Sequence, residues 1–249
     1  MVKSSVLMLD YDGTLAPFVQ ERSEAKLYAG VSDRLIRLTH MRAIRLAVLS
    51  GRPAREVASL LPDLLGADIW GSHGRERLHS SGCYENFLLN PLQSQYLAEL
   101  EELIVAEGFG FALERKLGSL AFHTRGLPET DANAIHEVVR NHYRSITSAD
   151  KSAGLEWLSF DGGIEIRGTG RTKGDAVACI LTESPFDVSV AYLGDDQTDE
   201  DAFRMLRNRQ NAASVLVRSE PRETAADWWI VPPQELLAFL DRYLEAYRD

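Results

Sequence analysis

Two aspartates separated by one residue follow a short apolar run near the start of the chain. Asp10 and Asp12 lie in Asp10-Tyr-Asp-Gly-Thr-Leu15, directly after Val6-Leu-Met-Leu9. At the end of a strand, one carboxylate can attack an electrophile while the other moves protons, and together they can hold a hard cation. A glycine-containing turn with incidental acidic residues has the same sequence, so this pair alone leaves both interpretations open.

A second acidic cluster follows another apolar run. Residues 195–201 contain five carboxylates in seven positions. Such crowding costs electrostatic repulsion unless a cation or solvent relieves it. The part from Asp199 to Asp201 also fits a solvated helix start, because acidic residues favour a helix N-terminus. Asp195 lies directly at the predicted strand end, where the solvated alternative is harder to accept.

Two further segments have the residue types of an anion site. Ser50-Gly-Arg-Pro53 places a hydroxyl and free backbone N–H groups before a predicted helix, although ordinary loop and capping chemistry uses the same residues. Lys173 opens another predicted helix, where a cation is slightly unfavourable. This position indicates a functional role, and a solvated lysine is the alternative.

Short apolar runs alternate with helical patterns around these motifs. The predicted strands are 5–9, 44–49, 188–193 and 214–217, and the predicted helices are 31–41, 55–65, 172–181 and 199–206. This alternation predicts a doubly wound, parallel α/β sheet, in which ligands bind beyond the carboxyl ends of the strands. A final amphipathic helix is predicted over 232–247 and is expected to pack on the core.

The middle of the chain has a different pattern. From about residue 78 to 167 the predicted order is α-β-β-α-β-β, with helices over 91–107 and 129–144. This order is typical of a small α+β module. We therefore expect a core domain formed by 1–78 and 168–249, with an inserted domain over 79–167.

Composition excludes several classes of protein. The net charge of −10 argues against nucleic-acid and anionic-membrane partners, because an acidic chain is repelled by both. Cys83 and Cys179 have no CxxC spacing, so reduced thiols are expected rather than a zinc or redox site. No apolar run approaches the roughly 20 residues of a membrane span. We expect a cytoplasmic protein that is a monomer.

The ordered set of motifs DxDGT, Ser, Lys and GDDxxD resembles the haloacid dehalogenase superfamily, over roughly residues 3–78 and 168–217. The resemblance implies a doubly wound core with an inserted α+β cap of the C2 type. It also implies a phosphatase in which Asp10 is the nucleophile and Asp12 the general acid and base. Ser50 and Lys173 would hold the phosphoryl oxygens.

The same resemblance implies a Mg²⁺ cofactor. The ion would be held by the carboxylates of Asp10 and Asp195 and by the backbone carbonyl of Asp12. Asp196 and Asp199 are expected to orient waters or Lys173 rather than to bind the metal directly.

Longer motifs resemble the trehalose-6-phosphate phosphatase family from about residue 6 to 217. They include Asp10 to Pro17, Ser50 to Pro53, Gly71 to Glu76, and Gly194 to Phe203. The implied activity is hydrolysis of trehalose 6-phosphate, a small-molecule sugar phosphate. The matching positions that are expected to contact substrate are Arg52, His73, Glu76, Glu114, Lys116, His123, Arg125 and Glu165.

The sequence leaves the sugar and the roles of some residues in the inserted domain open. Lys116 and Arg125 could be solvated side chains, and His123 a half-buried histidine. The family usually has Tyr where Thr124 stands, which concerns the sugar side. Mannosylglycerate, glucosylglycerate and sucrose phosphates are therefore alternative substrates. A sugar phosphotransferase and a non-catalytic sugar-phosphate-binding regulator are alternative functions.

Overall fold

The structure is a computed structural model that describes residues 4–19, 24–61, 66–160 and 162–248. The chain divides into two compact units, one formed by Met1–Asn86 with Arg171–Asp249 and the other by Phe87–Gly170. They are named the core unit and the inserted unit below. The division into functional domains at 1–78 with 168–249 and 79–167 stays a prediction.

An eight-stranded sheet forms the centre of the core unit. Its strands are β1 Ser5–Asp10, β2 Ile44–Leu49, β3 Asp68–Gly71, β4 Glu76–Leu78, β5 Tyr84–Asn86, β10 Ser189–Gly194, β11 Ala212–Val217 and β12 Trp228–Ile230. They lie side by side in the order β12-β11-β10-β1-β2-β3-β4-β5. The strands from β12 to β3 pair in parallel, and the β3–β4 and β4–β5 pairings are antiparallel.

Helices cover both faces of this sheet. They are α1 Val31–Thr39, α2 Ala54–Leu60, α5 Lys173–Thr182, α6 Glu200–Leu206 and α7 Gln234–Ala246. Leu7 and Leu9 of β1 share one buried cluster with α1, α2 and α7. On the other face, Tyr192 of β10 packs edge-on against Phe203 of α6. Strands buried on both faces need continuous apolar runs, which is why β1 and β2 were recognisable in the sequence. The predicted doubly wound α/β fold is confirmed.

Some predicted elements differ in length from the observed ones. Helix α2 ends at Leu60, and the last part of the predicted helix, 62–65, lies outside the described residues. Strands β3, β4, β5 and β12 were not predicted, because runs of three or four residues are too short for a periodic pattern. Helix α6 begins at Glu200 and is preceded by a 3₁₀ turn over Gln197–Asp199.

The inserted unit has the predicted α-β-β-α-β-β order. Its elements are α3 Pro91–Ala106, β6 Leu113–Lys116, β7 Ser119–His123, α4 Glu129–Ala149, β8 Leu155–Phe160 and β9 Gly163–Gly168. The strands form an antiparallel sheet in the order β6-β7-β9-β8. One face is apolar and packs with α3 and α4 through residues such as Phe122 and Ile166. Helix α4 is longer than predicted and continues to Ala149.

Across the parts of the chain that the structure describes, none of the helices combines the length and apolar character that crossing a membrane requires.

Candidate active site

The core-unit motifs meet at one edge of the parallel sheet. Asp10 is the last residue of β1, Ser50 follows β2, and Asp195 follows β10. Since β1 lies between β2 and β10 and pairs in parallel with both, the carboxyl ends of the three strands lie together. This edge is where a doubly wound sheet binds its ligands.

The turn after β1 brings this strand close to Asp195. Gly13 has a φ of 85°, a left-handed conformation that favours glycine. A Cβ atom at this position would lie 2.2 Å from Oδ2 of Asp195. The glycine is therefore needed both for the turn and for the close approach of the two acidic segments.

Lys173 joins the two acidic segments. Its side chain is buried, and Nζ donates to Oδ1 of Asp10 and to Oδ1 of Asp199, both at 2.7 Å. Thr172 caps the helix by accepting from Gly174 N, while the Asp175 carboxylate accepts from Thr172 N. Burial alone would lower the pKa of Lys173, but the carboxylates of Asp10 and Asp199 more than offset it and raise the pKa. The lysine is therefore a charged cation between two acids, and the solvated alternative is wrong.

Asp199 has all its acceptor positions filled by the protein. Oδ1 accepts from Lys173 and from the Tyr192 hydroxyl at 2.5 Å, and Oδ2 accepts from the backbone N of Asp195 and Asp196 at 3.1 and 3.0 Å. Asp199 and Glu200 are 0% and 3% exposed, so the interpretation of this stretch as a solvated helix start is wrong for both. Asp196, which is more exposed, caps the 3₁₀ turn by accepting from Gln197 N at 2.7 Å.

Asp10 and Asp195 each keep one carboxylate oxygen without a donor. Oδ2 of Asp10 and Oδ1 of Asp195 are buried, and neither accepts a hydrogen bond from the described residues. Together with Asp199, these aspartates offer oxygens that lie within 4.8 Å of one another. Burial raises the pKa of Asp10 from its ordinary 3.8 to about 7, although Lys173 opposes the shift. Burial, and next repulsion from Asp10, raise the pKa of Asp195.

These observations fit a divalent cation. Buried carboxylate oxygens without donors are costly unless a positive charge compensates them. Mg²⁺ prefers oxygen ligands and is bound by one or two carboxylates in phosphate-handling sites. Asp10 and Asp195 have the free acceptor oxygens for such an ion, whereas Asp199 has none left.

Arg52 contacts two carboxylates rather than facing outward. The residue is 1% exposed. Its Nε and Nη2 donate to the two carboxylate oxygens of Asp12, each at 2.6 Å, and Nη1 donates to Glu56 at 2.6 Å. The sequence-based expectation was a substrate contact; in the described structure the guanidinium is instead bidentate on Asp12.

Ser50, His73 and Glu76 lie in the network around the same strand ends. Ser50 Oγ accepts from Arg52 N at 3.0 Å, and His73 N donates to Ser50 O at 3.0 Å. His73 is buried beside Gly51, where a Cβ would lie 2.7 Å from its ring.

Glu76 accepts from Ala54 N at 2.6 Å and from Ser72 Oγ at 3.1 Å. The geometry gives Glu76 a role in holding the loop at 72–74 against the start of α2.

The polar face of the inserted sheet brings together four of the five predicted residues of this unit. The register aligns Glu114, Ala121 and Glu165 across β6, β7 and β9, which places Glu114, Lys116, His123 and Glu165 on one face. Lys116 Nζ donates to Oε2 of Glu165 at 3.0 Å, and both side chains are buried. His123 lies 2.7 Å from the Glu114 carboxylate. Lys116 is therefore not solvated.

Arg125 lies beyond the end of β7, on the turn that contacts Gly162. Its backbone N donates to Gly162 O at 3.1 Å, and a Cβ at Gly162 would lie 2.7 Å from its Nε. Thr124, which departs from the family pattern, lies on the same turn; its hydroxyl is 3.4 Å from Gly162 O and from His136 Nε2.

Sequence reasoning missed three residues that support the core site. Tyr192 contacts Asp199, and Arg222 and Glu200 contact each other beside the loop after β10. Glu200 belongs to the acidic cluster at residues 195–201, and this was the only feature of the sequence that indicated it. Tyr192 looks like an ordinary strand residue, and Arg222 lies in an irregular segment with no pattern.

Comparisons with known proteins agree with this architecture. A model of the family described as trehalose-phosphatase matches residues 8–229. The chain is 30% identical over 259 residues to trehalose 6-phosphate phosphatase RA3 of Zea mays, covering 96% of this chain and 69% of that protein.

Two solved structures share the fold. The C-terminal domain of Candida albicans trehalose-6-phosphate phosphatase matches with a TM-score of 0.81 and 21% identity, over 98% of this chain and 93% of that one. A haloacid dehalogenase-like hydrolase from Bacteroides thetaiotaomicron matches with a TM-score of 0.64 and 18% identity, over 97% of this chain and all of that one (100%). The chain therefore belongs to the trehalose-phosphatase family, whose members are phosphoric monoester hydrolases, and it has the haloacid-dehalogenase-like fold.

Proposed function

We propose that the chain hydrolyses trehalose 6-phosphate to trehalose and phosphate, with Mg²⁺ as its cofactor and Asp10 as its nucleophile. The observation that carries the proposal is the pair of buried, donor-free oxygens on Asp10 and Asp195, next to a charged Lys173. Family membership supports the substrate. The cytoplasmic location and the monomeric state stay predictions.

The carboxylates of Asp10 and Asp195, with the backbone carbonyl of Asp12, would hold Mg²⁺. When bound, the ion neutralises charge between the nucleophile and the phosphate dianion. Asp199 has no free acceptor, so its proposed role is to hold Lys173 and the loop after β10. Asp196 orients waters at the start of this loop.

In the first step an Asp10 oxygen attacks phosphorus, and the bond from phosphorus to the sugar oxygen breaks. Asp12 gives its proton to that oxygen, which releases trehalose. In the second step Asp12 takes a proton from water, whose oxygen attacks the phosphorus of the aspartyl phosphate. Inorganic phosphate leaves and the Asp10 carboxylate is restored.

Lys173 and Ser50 stabilise the phosphoryl oxygens while charge redistributes. Lys173 is already fixed by two carboxylates, so it needs little reorganisation during the reaction. Arg52 holds Asp12 through both oxygens, which suits the step in which Asp12 takes the proton from water. One of the two hydrogen bonds has to break for Asp12 to carry the proton that it gives in the first step. We therefore assign Arg52 to the positioning of Asp12.

The polar face of the inserted unit is the proposed sugar-binding surface. Glu114, Lys116, His123 and Glu165 carry charged or ionisable groups on one face, and such groups make strong hydrogen bonds to hydroxyls. Arg125 is kept as a fifth candidate at the edge of this face. His73 and Glu76 are buried in the core unit and hold the backbone around Ser50 and the start of α2. Their proposed role in substrate binding is therefore indirect.

A substrate panel tests the specificity. Phosphate release would be measured with trehalose 6-phosphate, sucrose 6-phosphate, glucose 6-phosphate, mannosylglycerate phosphate and glucosylglycerate phosphate. We expect fast turnover of trehalose 6-phosphate alone. Turnover of another sugar phosphate alone would contradict the substrate assignment and keep the phosphatase. Transfer of phosphate to an added sugar, seen by product analysis, would indicate a phosphotransferase.

A further inference from the structure

An arginine outside every motif contacts the loop that carries Asp195. Arg222 lies in the irregular segment between β11 and β12. Its Nε donates to Asp195 O at 3.3 Å, and its Nη2 donates to Asp196 O at 2.7 Å. Arg218, the residue after β11, also donates to Asp195 O, at 3.2 Å. Two guanidinium groups therefore bind the carbonyl side of this loop.

Glu200 holds Arg222 in place from the other side. Nη1 of Arg222 donates to Oε1 of Glu200 at 2.5 Å, and the Glu200 side chain is only 4% exposed. Glu200 also accepts from Thr224 Oγ1 and from Ala225 N, both at 2.8 Å. The buried carboxylate thus ties α6 to the Arg222 segment and fixes the orientation of the guanidinium.

The loop after β10 is consequently held on both of its sides. Its backbone N–H groups at residues 195 and 196 donate to Asp199, while its carbonyls accept from Arg222 and Arg218. The backbone carries the Asp195 carboxylate, whose Oδ1 is buried without a donor. A ligand fixed in this way needs no ordering when a cation binds, so the cost of forming the site is already met.

We propose that Arg222, held by Glu200, is a positioning residue that sets the affinity of the metal-binding loop for its cation. The proposal rests on the proposed metal site at Asp10 and Asp195. Residues that hold metal ligands in place change metal affinity by roughly 10- to 100-fold when they are replaced. Lysine has no planar fork, so it can contact one carbonyl but cannot span both carbonyls and Glu200.

Cation binding is measured directly, without substrate, by following free Mn²⁺ in an electron paramagnetic resonance titration. Native chain, Arg222→Met and Arg222→Lys are compared, with Arg204→Met as the matched control. Arg204 lies on α6, is largely exposed and pairs only with Asp201 among the bonds described for it. We expect the Kd for Mn²⁺ to rise roughly 10- to 100-fold in Arg222→Met, less in Arg222→Lys, and not in Arg204→Met.

Kinetics supply a second readout that a merely structural role would not change selectively. In Arg222→Met we expect a higher Mg²⁺ concentration for half-maximal activity, with kcat largely restored at saturating Mg²⁺ and KM for trehalose 6-phosphate unchanged. If Arg222→Met does not fold, as judged by circular dichroism, Arg222→Lys carries the same test.

The outcomes separate the two proposals. If the native chain binds Mn²⁺ and the folded Arg222 variants bind it with the same Kd, the proposed role of Arg222 is overturned and the metal site stands. Absence of Mn²⁺ binding by the native chain overturns the metal site, and the role of Arg222 with it.

Discussion

At the scale of single residues, the partners of each aspartate decide what it can do. Asp199 accepts four hydrogen bonds and has nothing left to offer a ligand, while Asp10 and Asp195 each keep a free oxygen. Asp12 has both oxygens on Arg52. These differences in hydrogen-bond partners are the basis on which the proposed roles of metal binding, positioning and proton transfer are divided among the four aspartates.

Replacing Arg52 distinguishes positioning of Asp12 from binding of substrate. In Arg52→Met, Asp12 loses its bidentate partner, so we expect kcat to fall by about 100-fold, within the range of general acid–base contributions. KM for trehalose 6-phosphate should stay nearly unchanged. Steady-state kinetics of phosphate release measures both parameters.

Arg55→Met is the matched control, because Arg55 is exposed and contacts the ring of Tyr84 instead. A large rise in KM with an unchanged kcat in Arg52→Met would instead support the direct contact between Arg52 and substrate that the sequence motif indicated.

At the scale of elements, long buried strands and motif residues at their ends could be predicted from the sequence. β1, β2 and β10 are nearly continuous apolar runs, and the parallel sheet predicted from them places Asp10, Ser50 and Asp195 at one edge. Two sets of contacts could not be predicted: the bidentate contact of Arg52 with Asp12, and the hydrogen bonds of Arg222 to the loop after β10 and to Glu200. They depend on side chains that are distant in sequence and meet only after the elements pack.

An ionic network ties the end of α5 to β2 and β4 and should respond to acid. Glu183 accepts from Arg77 and Arg45, and these hydrogen bonds, chiefly with Arg77, lower its pKa from 4.5 to about 2. A depressed carboxyl pKa stabilises the fold above the ordinary pKa. This contribution is lost as the pH falls through the folded-state value.

We therefore expect the free energy of unfolding of Glu183→Gln to be lower than that of the native chain above pH 5, by roughly 1 kcal/mol for this partly exposed group. The difference should shrink steadily between about pH 4.5 and 2. Urea unfolding across this range measures it, with Glu245→Gln on the exposed side of α7 as control. An equal difference at all pH values would argue against the ionic origin.

A different prediction concerns the stability of the inserted unit, whose sheet contains the buried ion pair of Lys116 and Glu165. Lys116→Met leaves the Glu165 carboxylate buried without this lysine, so we expect a loss of roughly 3 kcal/mol in stability. Glu165→Gln should also destabilise the unit, and the double variant should lose less than the sum of the two. Thermal unfolding of the three variants measures the coupling.

Lys151→Met, at an exposed position of the inserted unit, is the control and should unfold like the native chain. The pair variants should also bind trehalose 6-phosphate more weakly. Strictly additive losses would show that the two side chains do not act as a pair.

At the scale of the whole molecule, stability should depend on the metal and on pH together. In the metal-free chain, the pKa of Asp10 is raised from 3.8 to about 7, so the native state keeps a proton that the unfolded state releases. The free energy of unfolding should therefore fall as the pH rises from about 4 to about 7. Asp10→Asn should remove the part of this slope that comes from Asp10, whereas Asp195, whose pKa burial also raises, keeps its own part.

Saturating Mg²⁺ should remove the same slope and raise the melting temperature at neutral pH. At 100 times its Kd the ion stabilises the native state by about 2.7 kcal/mol, or roughly 5–10 °C for a chain of this size. Scanning fluorimetry with and without EDTA measures the shift, with Asp195→Asn as the variant expected to lose it. A shift that persists in Asp195→Asn would place the ion elsewhere.

The most direct test is the initial rate of phosphate release from trehalose 6-phosphate by the native chain and by Asp10→Asn, each in excess Mg²⁺ and in EDTA. We predict rapid release only by the native chain with Mg²⁺, and a loss on the order of 10⁴-fold or more in Asp10→Asn, as expected for removal of a nucleophile. Unchanged release by folded Asp10→Asn, or by the native chain in EDTA, would contradict the proposed chemistry. Absence of release under every condition would favour a non-catalytic binding role.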